Sequence, residues 1–353
     1  MDNTIKLLQP TKKHYLSFFK WILFLLIVIY HSLYLFTSNA LLATLAHKIY
    51  DYIPFLVDCF FVMSGFLMAR AFCTRPIETG FYIRKRLVDF VPILVLFWLS
   101  FWVIGKLGWM KVDLINGIQD IFGLSIFGAE LIHNQLNYTW FLYTLFWCNI
   151  FFFLILKLKR FAPFVLIPIL ITTGVIISSY WIEGNVISPK PYENLPISFG
   201  LLRGIFASTI GVLVVYPARF TPSFIRKSPY LFQILGLLEA NILILTILML
   251  SQLSPKEIYI NGLSLFGLLL FSLSFENSPL FKVLNQKFFS FGSEYLLGGY
   301  IFSAITLSII AHVLAKYPHL TIYGDSIYIT VILVSLIFGA IIHHSTKIIK
   351  SKI

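Results

Sequence analysis

Charge is scarce in this sequence. Only 12 % of its 353 residues are Asp, Glu, Lys or Arg, against 58 % hydrophobic, whereas a soluble globular chain carries about 25 % charged residues. A water-soluble domain is thereby excluded. Cysteine is scarce too: Cys59, Cys73 and Cys148 show no CxxC spacing and fall in or beside apolar runs, which excludes a disulfide framework and a cysteine zinc site. Internal repeats, low-complexity tracts and Pro/Gly/Ser linkers are missing, so nothing divides the chain, and residues 1–353 read as one membrane-embedded domain with no separate soluble unit. The apolar runs do not alternate with period two, which argues against a β-barrel.

What is present is a series of apolar runs. A hydrocarbon layer of about 30 Å takes roughly 20 apolar residues per helix, and by that measure spans fall near 20–36, 52–69, 87–105, 138–156, 162–181, 197–216, 231–250, 258–275, 295–315 and 326–346. The expected fold is all-α, a polytopic membrane helix bundle of about ten transmembrane helices. With the amino terminus in the cytoplasm, Lys and Arg divide about 20 inside to 6 outside, the sense of the positive-inside rule, so both termini are expected to be cytoplasmic. The net charge of +12 follows from that bias toward the anionic inner surface. It does not point to nucleic acid, because no basic stretch is interleaved with exposed aromatics outside the spans. The first run is too long and lacks the cleavage site of a removable signal peptide. The long outer segment from about Lys106 to Asn137 contains IFGLSIFGAELI, read as an interfacial helix able to cover a site.

Four ionisable residues sit inside apolar runs: His31, Asp58, Arg203 and Glu239. A charge near a helix centre costs roughly 2.5–3.5 kcal/mol on insertion scales, so such groups face the bundle interior. The eleven residues from Lys20 to His31 make about three turns, which puts both on one helix face roughly 16 Å apart. Asp58 lies about six residues into the second span, within reach of His31, where a carboxylate orients an imidazole and raises its basicity. Each polar group also has a plainer reading as a satisfied helix contact, and for Arg203 and Glu239 that reading is an interhelical ion pair. The functional one for Arg203 is a cavity-facing group that binds an anionic or hydroxyl-rich substrate. FYIRKRLVDF, with Arg84, Lys85 and Arg86, is an inside anchor or a phosphate site, since guanidinium groups fork onto phosphate oxygens. Lys20 has the same two readings. Ser64 and Gly65 read as small residues that permit close helix contact, and none of the remaining histidines, the His343–His344 pair included, is chosen as a metal ligand.

Taken in order, Lys20 with His31 after ten intervening positions, FFVMSGFL at Phe60 to Leu67, Arg84 with Arg86, and TWFLYTLF at Thr139 to Phe146 resemble the integral-membrane acyltransferases of family 3, which O-acylate surface polysaccharides and related glycans. The resemblance departs at Lys20, usually Arg, and at Ser303, where the late motif often has His; nor does an extracytoplasmic domain follow the last span. It implies an acyltransferase of the bacterial cytoplasmic membrane. The donor would be an acyl-CoA, acetyl-CoA most simply, held as co-substrate by Lys20, Arg84 and Arg86, with no bound cofactor or metal. His31 would be general base or transient acyl carrier, oriented by Asp58. The acceptor would be a hydroxyl of a glycan or lipid-linked saccharide, with Arg203, Trp140 and Tyr143 lining its cavity. The rival reading is a glycan-precursor transporter or flippase that uses His31 and Asp58 as a proton relay. Against it, the hydropathy shows no internal duplication and no pair of broken spans in equivalent positions.

Overall fold

In a lipid interior every backbone N–H and C=O must be bonded within its own segment, so uninterrupted apolar runs have one stable form. The computed structural model describes residues 14–32, 50–74, 77–106, 140–182, 197–220, 228–252, 254–275, 278–319 and 324–352. Among these there is no β-strand, and each of the ten expected runs is a helix. They are α1 (His14–Ser32), α2 (Ile53–Thr74), α3 (Thr79–Lys106), α4 (Trp140–Leu156), α5 (Ala162–Ile182), α6 (Phe199–Phe220), α7 (Pro229–Gln252), α8 (Pro255–Leu273), α10 (Leu296–Lys316) and α11 (Gly324–Lys352). A short helix the hydropathy did not announce, α9 (Pro279–Leu284), precedes α10. Eight of the helices are long and apolar enough to cross a membrane. The other two long ones are α3, which carries Arg84, Lys85, Arg86 and Asp89 in its first half, and α4, with 17 residues. The expected interfacial helix of the 106–137 segment lies, apart from Lys106, outside the described residues.

The bundle centres on α2 and α6. A Cβ on Gly65 would come 2.3 Å from Ser208 O, and one on Gly211 would come 1.9 Å from Val62 O, so only glycine allows these two backbones to touch. A second close crossing joins α10 to α11, where a Cβ on Gly339 would meet Tyr295 O at 2.3 Å. Helices α5 and α7 form the periphery and present large side chains such as Phe164 (75 % exposed) and Ile247 (67 %) outward, as a lipid-facing surface would.

Around the functional region, α1 packs on α2, α10 and α11, while α3 packs on α4, α10 and α11. The first turns of α1 are held by the segment between α8 and α10. The His14 N–H donates to Asn285 Oδ1 (2.7 Å) and Trp21 Nε1 donates to Phe291 O (3.1 Å). That segment is itself anchored by the buried Glu239 of α7, whose carboxylate accepts from Ser272 Oγ (2.7 Å), from Ser278 Oγ and from the Leu280 N–H (3.0 Å). Ser278 also caps α9.

Candidate active site

Phe60, Met63, Ser64, Leu67 and Ala71 recur along α2 at the spacing of a single helix face, and that face forms one wall of a cavity of about 570 Å³. The cavity is enclosed by α1, α2, α3, α4, α10 and α11, each of which contributes to its lining. At one end, its mouth, lie Lys20, Arg86, Asp89, Glu294 and His343; at the other lie the rings of Phe60, Phe141 and Tyr300. From Ala71 to Phe60 is eleven residues, about 16 Å along the helix, the same rise that separates Lys20 from His31 on the facing α1.

His31 occupies the level of the aromatic end. It is not among the residues that line the cavity; the ring of Tyr300, which does line it, has its centroid 6.2 Å from that of the imidazole and 5.4 Å from that of Phe141. Tyr300, which lines the cavity, is thus a neighbour of His31. Arg86, at the mouth, rests on stacked rings. Arg86 lies over the ring of Tyr82 at 5.0 Å, and Tyr82 lies flat on Phe153 with centroids 3.9 Å apart and planes 5° off parallel. Arg84, on the same helix, is exposed and lies outside the cavity lining.

Asp58 takes a different partner from the one expected. Its Oδ2 and Oδ1 accept from Arg203 Nε (2.9 Å) and a terminal guanidinium nitrogen (3.0 Å), and Tyr259 Oη donates to Oδ2 as well. The same guanidinium nitrogen donates to Pro54 O at 3.1 Å. Both carboxylate oxygens are therefore directed at Arg203 and Tyr259 and not at His31. The expected alternative for Arg203, an ion pair with Glu239, is likewise replaced: Glu239 serves the anchor of α9, and Arg203 is matched by Asp58. Nor does Arg203 face an open cavity, since it is 1 % exposed and its guanidinium lies between Trp140 (5.4 Å) and Tyr259 (5.9 Å). The reason is solvation. A lone guanidinium in an apolar bundle is expensive, and a fork of two charge-assisted hydrogen bonds offsets that cost better than a single contact.

Trp140 opens α4 and also packs on Phe61 (6.0 Å); Tyr143, one turn on, is buried in the core at 3 % exposure. Ser303 is buried and its hydroxyl donates to Tyr300 O (2.6 Å), a bond within its own helix. Sequence reasoning missed Tyr259, Asn149, Glu294 and the position of His343. For Tyr259 and Asn149 no local pattern marks them. Of the His343–His344 pair, His343 reaches the cavity while His344 is exposed. Among the described residues no three of His, Cys, Asp and Glu converge as a metal site.

A cavity with two cations and two carboxylates at one end and aromatic rings at the other accepts an elongated molecule that is polar and charged at its outer end and uncharged at its inner end. Compared with known protein families, the chain matches over residues 13–344 a model described as an acyltransferase domain, Acyl_transf_3. No curated protein and no solved structure matches it.

Proposed function

The chain belongs to the Acyl_transf_3 family of membrane acyltransferases, and from that premise we propose that it moves an acetyl group from acetyl-CoA to a hydroxyl of a cell-surface polysaccharide or lipid-linked glycan at the bacterial cytoplasmic membrane. The observation that carries this reading is the cavity that joins Lys20 and Arg86 to the aromatic wall beside His31. Its mouth belongs to the cytoplasmic side, where acetyl-CoA is made. The donor's phosphates lie at Lys20 and Arg86, with the exposed Arg84 available to the nucleotide outside the cavity. Its uncharged arm runs inward and brings the thioester to the level of His31.

In this reading the neutral imidazole of His31 takes the proton of the acceptor hydroxyl as its oxygen attacks the thioester carbonyl. The tetrahedral intermediate then collapses, the C–S bond breaks, and the proton leaves with the thiolate as CoA. Tyr300, which lines the cavity beside His31, must turn aside or frame the reacting carbonyl. Asp58 acts at one remove: by fixing Arg203 beneath Trp140 it holds the acceptor side, to which Tyr143 contributes its packing. Lys20, a point charge where the family usually has a fork, supplies attraction without bidentate geometry.

The test is transfer of labelled acetyl from acetyl-CoA into glycan in native membranes, wild type beside His31→Ala at matched expression. Label with wild type alone is expected, with free CoA released in step. Donor-independent movement of glycan, with no label from either protein, would replace acyl transfer by transport.

A further inference from the structure

Apart from its charged residues and from Ser293, Tyr300, His343 and Thr346, the polar side chains that line the cavity are Ser64 of α2 and Asn149 of α4, which are hydrogen-bonded to each other. Asn149, 4 % exposed, spends both amide hydrogens inside the protein: Nδ2 donates to Leu145 O (2.6 Å) and to Ser64 Oγ (3.1 Å). The Tyr82 hydroxyl stands at 3.4 Å from its Oδ1 and 3.5 Å from its carbonyl oxygen, both long contacts. The Ser64 hydroxyl, already accepting from Nδ2, has Oδ1 as acceptor only at 3.4 Å, long for an O–H···O bond, whose usual length is about 2.7–2.8 Å. A turn about Cβ–Oγ aims that hydrogen into the cavity, where an acceptor at normal length is a better partner.

The depth of this hydroxyl is informative. Ser64 lies four residues from Phe60 toward the mouth, about 6 Å below the aromatic end. In an acyl-CoA the sulfur is followed by two methylenes and then an amide. With the thioester at the aromatic end, as in the function proposed above on which this step rests, that first amide falls at the level of Ser64. We propose that Ser64, held by Asn149, donates a hydrogen bond to the carbonyl oxygen of the amide nearest the thioester sulfur and so sets the depth to which the donor enters. The plainer role for the pair, a polar bridge between α2 and α4, makes a different prediction.

The experiment compares acetyl-CoA with two analogues, one in which the amide nearest the sulfur is replaced by a two-carbon hydrocarbon link and one in which the farther amide is so replaced. For wild type, the near-amide analogue is expected to show a KM roughly three- to tenfold above that of acetyl-CoA, the scale of one lost hydrogen bond, with a smaller change for the far-amide analogue. Ser64→Ala should raise the KM for acetyl-CoA by the same factor and should no longer distinguish acetyl-CoA from the near-amide analogue. Equal losses for both analogues in wild type, a comparison that needs no variant, would overturn the inference, as would a Ser64→Ala protein that keeps the full preference. Wild type that turns over acetyl-CoA normally while failing either criterion sinks this subsite alone; wild type that uses no CoA thioester at all sinks the proposed function with it.

Discussion

At the scale of single residues, the decisive feature is a carboxylate and a guanidinium withdrawn from water together. Asp58 is 0 % and Arg203 1 % exposed, and the fork between them is closed by Tyr259 and the Pro54 carbonyl. Removal of either partner leaves the other charge uncompensated, which typically costs about 3–5 kcal/mol, whereas replacement of both by apolar groups of similar volume is often neutral. Asp58→Leu and Arg203→Met are therefore each expected to lower the melting temperature in detergent sharply, and the double variant to recover most of the loss. Additive losses would mean that the two side chains are held independently of each other. The sequence marks both residues, because ionisable groups in apolar runs are conspicuous, but not their pairing. Asp58 and Arg203 are 145 positions apart, and hydropathy carries no information about which helices become neighbours. His31 stands out for the same reason; its contact with Tyr300 does not, since an aromatic ring in a membrane helix attracts no notice.

At the scale of elements, all ten apolar runs are legible because lipid leaves a helix as their only form, while their ends are less so. The run expected from residue 87 begins as helix at Thr79, since helical hydrogen bonding continues through the charged turns that a hydropathy window rejects. The short α9 escaped notice entirely: six residues give no period, and what holds them is a buried carboxylate on another helix. Glu239 binds Ser272, Ser278 and the Leu280 N–H, and so anchors a segment that also carries the Asn285 and Phe291 contacts to α1. Glu239→Leu is expected to loosen α9 without unfolding the bundle. Lys282 and Lys287 are exposed on this segment, so the variant should be cut there by trypsin several times faster than wild type, with the remaining sites unchanged. Equal cleavage rates would show that the packing of Phe281 on Tyr15 and of Phe289 on Phe18 suffices to hold the segment.

For the whole molecule, the bias of Lys and Arg predicts which way the cavity opens, and the donor reading depends on that orientation. Lys20 and Arg86 lie at the mouth, and Arg84 is exposed on the same helix as Arg86; Lys256 lies in the first turn of α8, on the side the charge count assigns to the exterior. Of the three cysteines, Cys59 and Cys148 are buried at 2 % exposure and only Cys73 is partly accessible, so Cys73→Ser gives a background suited to thiol labelling. In that background Lys256→Cys should react with a membrane-impermeant maleimide in intact spheroplasts, and Arg84→Cys only after permeabilisation. The opposite pattern would turn the mouth to the exterior, where no acyl-CoA is available, and the cations at Lys20 and Arg86 would then have to meet the acceptor instead of the donor.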